Sequence, residues 1–316
     1  MTSVGTPTSA PAGSGSVTAA RISGPVWAAL AMLYVVWGST YLGIRVVVET
    51  MPALFSGAVR FLAAGALLLG LLAVKEGSAA LRVTGRQLAS AGLVGLLLLV
   101  GGNGMVVIAE GRVPSGLTAL LVAAVPLYVV VLRAAFGDRP GWTALAGVLL
   151  GLAGLAVLAV PGSSGSVKLG GVLLVLAAAV SWSVGSFLSS KLPMPGNPLV
   201  ASAYEMLIGG AGCAVVALAR GEQHGLDLAA VSTRSWVALA YLVLVGSLVG
   251  FTAYAWLLQR APLGLVSTYA YVNPVVAVFL GWLVLGEKLT GIELAGGLVV
   301  VAAVCVVVST ERRGRR

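Results

Sequence analysis

Ten stretches of mostly apolar residues, separated by short polar connections, fill the chain from residue 25 to residue 309. They fall roughly at 25–45, 54–74, 88–109, 115–136, 142–160, 169–190, 197–219, 235–258, 264–285 and 292–309. A helix of about 20 apolar residues covers the hydrocarbon of a bilayer. Backbone in lipid must satisfy its own hydrogen bonds, so each stretch predicts a transmembrane helix. A β-barrel would instead show alternating segments of about 10 residues, and the sequence has none. The expected fold class is an all-α membrane protein with ten transmembrane helices.

The pattern is duplicated. Residues 21–160 are echoed by residues 168–309. Pro114-Ser115-Gly116-Leu117 stands twelve residues before Pro126, and Pro262-Leu263-Gly264-Leu265 stands twelve before Pro274. The same shift of 148 lays Gly102 on Gly250, Val130 on Val278 and Leu132 on Leu280. A shift of 145 lays Trp37 on Trp182, Leu62 on Leu207, Gly65 on Gly210 and Arg60 on Glu205. A unit with an odd number of spans enters the bilayer from the opposite side on its second passage. Two inverted five-helix repeats are therefore expected, an arrangement that puts the site of secondary transporters near the midplane. The organisation follows: a disordered tail at 1–24, one repeat at 25–162, another at 166–310 and a basic tail at 311–316.

Composition strengthens this reading. Apolar residues make up 59% of the chain and charged residues 9%, where a soluble domain carries about 25% charged residues. Residues 1–24 hold no apolar core, so no cleavable signal peptide is expected there. With the N-terminus in the cytoplasm, 12 Lys and Arg flank the inner ends of the spans and 6 the outer ends, and Arg60 lies within a span. The positive-inside rule then puts both termini in the cytoplasm. The net charge of +9 is spread over loops and the final arginines, which argues against a nucleic-acid partner.

Cys213 and Cys305 lie in apolar spans and read as packing, and His224 is the single histidine. No metal framework and no phosphate-cradling Gly-rich loop before a Lys is present, so neither a cofactor nor ATP-driven work by this chain is expected. An intramembrane enzyme would show convergent acid, base or metal ligands. A passive channel would not need inverted halves.

Polar residues inside the spans carry the remaining information. Trp collects at membrane interfaces, yet Trp37 and Trp182 fall near the middles of the first and sixth spans. Trp37, Thr40 and Tyr41 share one helical face, as do Trp182, Ser186, Ser189 and Ser190, and as do Ser247, Phe251 and Tyr254. The ninth span carries Ser267, Thr268, Tyr269, Tyr271 and Asn273, and the third carries Asn103. The candidate cavity residues are Trp37, Tyr41, Asn103, Trp182, Ser186, Tyr254, Tyr271 and Asn273. Pro126 and Pro274 are candidate kinks. Arg60 is expected to be structural and to pair with Glu110 or Glu49 near the outer surface. Glu205 is the acid clearly inside a span and the candidate coupling carboxylate.

The run Trp37-Gly38-Ser39-Thr40-Tyr41, then Val59-Arg60-Phe61, Gly102-Asn103-Gly104, Pro114-Ser115-Gly116 and Tyr271-Val272-Asn273-Pro274, resembles the EamA family of the drug/metabolite transporter superfamily. The resemblance covers about residues 25–309 as two tandem units. It implies ten helices, cytoplasmic termini, a bacterial inner membrane, export of small molecules and a central cavity built from both halves. The expected function is a secondary transporter that exports a small amphipathic metabolite, such as an amino acid, by alternating access. Its partners would be that solute, the lipid bilayer and a coupling proton. A hydrophobic or cationic toxic compound is the alternative substrate.

Overall fold

The computed structural model describes residues 24–137, 141–158, 169–261, 269–288 and 290–313. Ten helical rods follow one another along them, and no strand occurs among the described residues. They are α1 (Gly24–Val47), α2 (Ala53–Glu76), α3 (Gly85–Glu110), α4 (Ser115–Ala135), α5 (Trp142–Leu158), α6 (Leu169–Ser189) and α7 (Pro198–Ala219), then α8 from Thr233 to Arg260, α9 (Tyr269–Leu285) and α10 (Gly291–Arg313). Seven of them, α1–α4 and α6–α8, are long and apolar enough to cross a membrane. In α5, α9 and α10 the apolar stretches are shorter: Leu145–Gly154, Val272–Leu285 and Leu294–Ala303. Pro262 and the start of the expected ninth span, with Ser267 and Thr268, lie outside the described residues, as does the tail before residue 24. The last helix runs on to Arg313, past the boundary expected at 310.

Local chemistry sets the helix starts. Thr84 and Gln87 form a capping box at α3: Gln87 N donates to Thr84 Oγ1 at 3.2 Å and Thr84 N to Gln87 Oε1 at 2.9 Å. Asn197 caps α7 through Leu199 N at 2.9 Å, with Pro198 in the first turn. Ser232 caps α8 through Ser235 N at 3.1 Å. Pro52 and Pro114 precede α2 and α4 and give no side-chain cap. The free N–H groups there meet carboxylates from the second half of the chain. Leu54 N and Phe55 N both donate to Glu222 at 3.0 Å. Ser115 N and Gly116 N donate to Glu287 at 3.0 and 3.3 Å, and Ser115 Oγ at 2.8 Å. Negative charge at a helix N-terminus complements its dipole.

One irregularity recurs at matching places and another does not. A π-helical segment widens α3 at Leu96–Gly104 and α8 at Leu242–Val249. α4 breaks after Val122 and resumes at Val125, with Pro126 in the first turn of the new segment, whereas Pro274 stays inside α9.

Packing repeats as well. α2 lies on α7, α4 on α9 and α5 on α10, while α1 packs on α8 and α9 as α6 packs on α3 and α4. Exchanging each helix for its repeat counterpart leaves that scheme unchanged. Glycines permit the close crossings. Gly65 meets Ala203 and Leu207, whereas Gly57, two turns earlier, meets Cys213, so α2 and α7 run antiparallel. Gly154 meets Gly296 and Val300, while Gly151 meets Ala303, so α5 and α10 do the same. Small residues at such crossings are how helices associate in lipid. Large apolar side chains such as Val35, Val74, Leu149, Trp282 and Leu298 point outward from the bundle.

Candidate functional site

Where α1, α8 and α9 converge, aromatic rings close on one another. The Trp37 ring stands 4.9 Å from Tyr269, edge-on, 5.1 Å from Tyr254 and 5.7 Å from Phe251. Tyr254 and Tyr269 are 6.0 Å apart. Phe251 and Tyr254 are three residues apart, so one face of α8 presents both. All four are half-buried. Such rings offer apolar area with polar edges, a surface suited to small amphipathic ligands.

Asn273 is buried beneath this cluster. With its amide nitrogen turned toward the carbonyls, it donates to Tyr34 O at 3.3 Å and Tyr269 O at 3.2 Å. The side chain thus ties α9 to α1 just before Pro274. Tyr271 belongs to α9, but its side chain lies outside the described residues.

Trp182 and Asn103 belong to a second group around α3 and α6. Trp182 rests on Gly102, where a Cβ would come within 2.9 Å of the ring. Asn103, the next residue in the π segment, and Ser186, one turn from Trp182, are half-buried. Trp182 and Phe251 pack against the same buried core, the one centred on Phe61, Leu99 and Met206. Tyr41 packs against the core of Ile44, Val107 and Leu242 and is within electrostatic reach of Tyr269. Seven of the eight cavity candidates have described side chains, and they fall around different helices. Trp37, Tyr254 and Asn273 come together, Asn103, Trp182 and Ser186 lie around α3 and α6, and Tyr41 lies between the Tyr269 ring and the core around Ile44.

Glu205 is half-buried on α7. Its main chain passes so close to Gly95 that a Cβ there would lie 2.5 Å from its carbonyl oxygen. Its carboxylate is within electrostatic reach of Tyr254. Several hydroxyls on the expected faces bond their own helices: Thr40 to Trp37 O at 2.6 Å, Ser189 to Ser186 O at 2.8 Å and Ser190 to Phe187 O at 2.7 Å.

Arg60 is buried, and its partner differs from expectation. Its Nε donates to Ser247 Oγ at 3.0 Å, and its guanidinium lies 4.9 Å over the Phe61 ring. Glu49 instead faces Arg234 at 3.7 Å. Glu110 is buried with neither carboxylate oxygen bonded among the described residues, and Arg45 donates to its main-chain carbonyl. Ser247 stands in the widened segment of α8, in the other half of the chain from Arg60. Arg60 also lines a small cavity with Ser56, Val107 and Leu242.

Sequence reasoning placed Tyr269 and Phe251 on polar or aromatic faces but left them out of the cavity. It missed the bond between Ser39 Oγ and Tyr241 OH, 2.5 Å long and 202 residues apart in sequence. It also missed the capping roles of Glu222 and Glu287. A signal existed for the latter two: each is an acid just past the end of an apolar span, and each faces a helix that starts after a proline.

Comparison with known proteins adds identity. The model of the EamA-like transporter family matches residues 22–160 and again 169–309. The "Uncharacterized inner membrane transporter YedA" of Escherichia coli is 41% identical over 284 residues, covering 89% of this chain and 90% of that protein. The "Probable terminal-alkyne amino-acid exporter" of Streptantibioticus cattleyicolor is 28% identical, covering 94% and 97%. The "Probable amino-acid metabolite efflux pump" of Salmonella typhimurium is 27% identical, covering 87% and 92%. A solved crystal structure shares the fold with a TM-score of 0.64 at 20% identity, covering 91% of this chain and 99% of its own.

Proposed function

This chain belongs to the EamA-like transporter family and is a multi-pass membrane transporter, and from that premise we propose that it exports a small amphipathic metabolite, an amino acid or related compound, by alternating access. The observation that carries the reading is the half-buried cluster of Trp37, Tyr254 and Tyr269, which joins α1 of one half to α8 and α9 of the other. A site shared between halves changes shape when one half rocks against the other. The rings pack against the apolar part of the solute, and hydroxyls orient its polar end. Two relatives whose names include amino-acid export or efflux support this choice of substrate class.

The same reading takes the chain as ten spans in two inverted five-helix units with both termini in the cytoplasm. Antiparallel crossing of α2 on α7 and of α5 on α10 supports the inversion. In this orientation Glu222 and Glu287 bind α2 and α4 at the outer end, where Ser235 also donates to Val46 O at 2.9 Å and Thr50 to Ser235 at 2.8 Å. These bonds all join one half to the other. The outer end is read as sealed.

One observation favours a second substrate class. Glu205 is within electrostatic reach of Tyr254, and a carboxylate beside aromatic faces attracts cations. A hydrophobic cation is the corresponding ligand. Comparison of extracellular metabolites from overexpressing and deletion strains separates the two. Enrichment of an amino acid or its derivative outside overexpressing cells is the expected result. Resistance to cationic dyes with no metabolite enriched would favour the second class, and absence of both enrichment and resistance would overturn the export reading.

A further inference from the structure

We infer that Arg60 recognises the carboxylate of the exported solute, while the rings around Trp37 hold the solute's apolar part. The inference deepens the transport reading and rests on it for the class of solute. Arg60 is 5% exposed. Its Nη1 is buried and meets no acceptor among the described residues. Charges in apolar surroundings are costly unless paired and hydrogen-bonded.

Among the described residues, no neighbouring helix supplies the opposite charge. Arg60 Nε donates to the neutral hydroxyl of Ser247 at 3.0 Å, and the guanidinium lies over the Phe61 ring. The titratable groups that act on Arg60 are Cys213 of α7 and Tyr241 of α8, a thiol and a phenol. Both are engaged elsewhere. Cys213 Sγ donates to Leu99 O at 3.5 Å, and the Tyr241 hydroxyl shares a 2.5 Å hydrogen bond with Ser39. The carboxylates serve other groups. Glu110 lies within reach of Glu287 and Arg45, and Glu205 acts on Tyr254. Glu222, at the start of α2, accepts from Leu54 N and Phe55 N. The small cavity beside Arg60 is walled by residues of α1, α2, α3 and α8, and so by both halves. Parting of the halves would widen it to admit an acid group.

Position ties this charge to the aromatic cluster. A Cβ at Gly246 would stand 3.5 Å from Arg60 Nη2, and one at Gly250 would stand 2.5 Å from Trp37 Nε1. Four residues of helix rise by about 6 Å. The guanidinium and the indole therefore border successive turns of α8. An α-amino acid holds its carboxylate and its side chain at a comparable separation. Ser247 fixes the guanidinium, and Phe251 and Tyr254 of the same helix stand against Trp37. The planar fork of an Arg matches a carboxylate with two parallel hydrogen bonds. A hydrophobic cation would be repelled by it.

Equilibrium binding to the full-length protein in lipid nanodiscs tests this with matched probes: L-phenylalanine and L-leucine, their amides, and sodium chloride. The wild type should bind at least one acid about tenfold or more tightly than its amide. Arg60→Gln should bind acid and amide alike. Arg60→Lys keeps a charge but not the fork, and should lose several-fold of the preference. It decides the matter should Arg60→Gln fail to insert. A purely structural Arg60 would weaken acid and amide together and leave their ratio unchanged in the variants, which overturns the inference. A wild type with no acid preference overturns it as well, and so does a site that chloride saturates while neither acid binds. Export by a protein without acid preference would remove this inference and leave the transport reading. Acid binding that depends on Arg60, in a protein whose cells export nothing, would do the reverse.

Discussion

Trp37 lies against the bare backbone of Gly250, so close that a Cβ at residue 250 would stand 2.5 Å from the indole Nε1. Trp182 lies against Gly102 in the same manner, at 2.9 Å from the ring. The two tryptophans are repeat equivalents, and so are the two glycines. Each half thus seats its tryptophan on the widened helix of the other half, at the end of a π segment.

Adding a methyl at Gly250 is expected to push the Trp37 ring off its seat. Overpacking of this kind costs about 1–3 kcal/mol. Gly250→Ala should lower transport per folded molecule several-fold, and Trp37→Phe in the same chain should restore part of it by making room. A double variant no better than Gly250→Ala would show that the contact is not what the methyl disturbs.

Truncating the tryptophans separates ligand contact from packing. Trp37→Ala removes one ring from a cluster with Tyr254 and Tyr269, and Trp182→Ala removes a ring from the core around Phe61 and Met206. Trp37→Ala is expected to change preference among exported solutes, with Trp37→Phe milder because the ring area survives. Trp182→Ala is expected to reduce the amount of folded protein, by about 3–5 kcal/mol if the core cannot collapse. Transport normalised to membrane-inserted protein checks both. Unchanged selectivity in Trp37→Ala would remove Trp37 from the substrate path.

Much of this was readable from the sequence, for physical reasons that differ by residue. The rods follow from apolar length, and the Trp37–Trp182 and Gly102–Gly250 equivalences follow from duplication. The side-chain groupings do not. Asn273 reads as a polar residue facing a cavity, but helix spacing cannot reveal that the carbonyls of Tyr34 and Tyr269 would claim its amide. Tyr41 shares a helix face with Trp37, yet α1 crosses from one neighbour to another within a turn, and the two rings enter different clusters. Depth along the span alone matches Arg60 to acids near the outer surface. Its actual acceptor, Ser247, is a neutral hydroxyl on a helix of the other half, 187 residues away.

That bond gives a direct expectation for stability. Ser247→Ala leaves the buried Arg60 Nε without its acceptor, and an unsatisfied buried donor costs about 1–3 kcal/mol, more when charged. Thermal unfolding in detergent should show the loss. Ser247→Thr, which retains the hydroxyl, should recover most of it. A Ser247→Ala protein as stable as the wild type would mean that Arg60 is solvated from the adjoining cavity.

Orientation is checked by labelling. On a background lacking Cys213 and Cys305, single cysteines in the 75–86 segment and near the C-terminus should resist a membrane-impermeant thiol reagent in intact cells. A cysteine between 220 and 234 should react. Reaction of the 75–86 segment from outside would reverse the assignment made from the 12-to-6 distribution of basic residues.

Glu287 offers the sharpest test of the seal. Its carboxylate accepts from Ser115 N, Gly116 N and Ser115 Oγ, and so binds the end of α9 to the start of α4. Bonds from neutral donors to a charged acceptor contribute about 1.5–3 kcal/mol. Glu287→Gln keeps the shape, removes the charge and weakens both the bonds and the match to the α4 dipole. Thr118, one turn into α4, is fully buried and reports opening. A Thr118→Cys protein should label slowly from outside, and Glu287→Gln should speed that labelling several-fold, by favouring the outward-open state. A local brace would behave differently. It would lower thermal stability and leave Cys labelling at 118 unchanged, because α4 would loosen without the halves parting. Rates measured at several reagent concentrations distinguish the two. Labelling limited by opening becomes independent of reagent, and the plateau rate is the quantity that Glu287→Gln should raise.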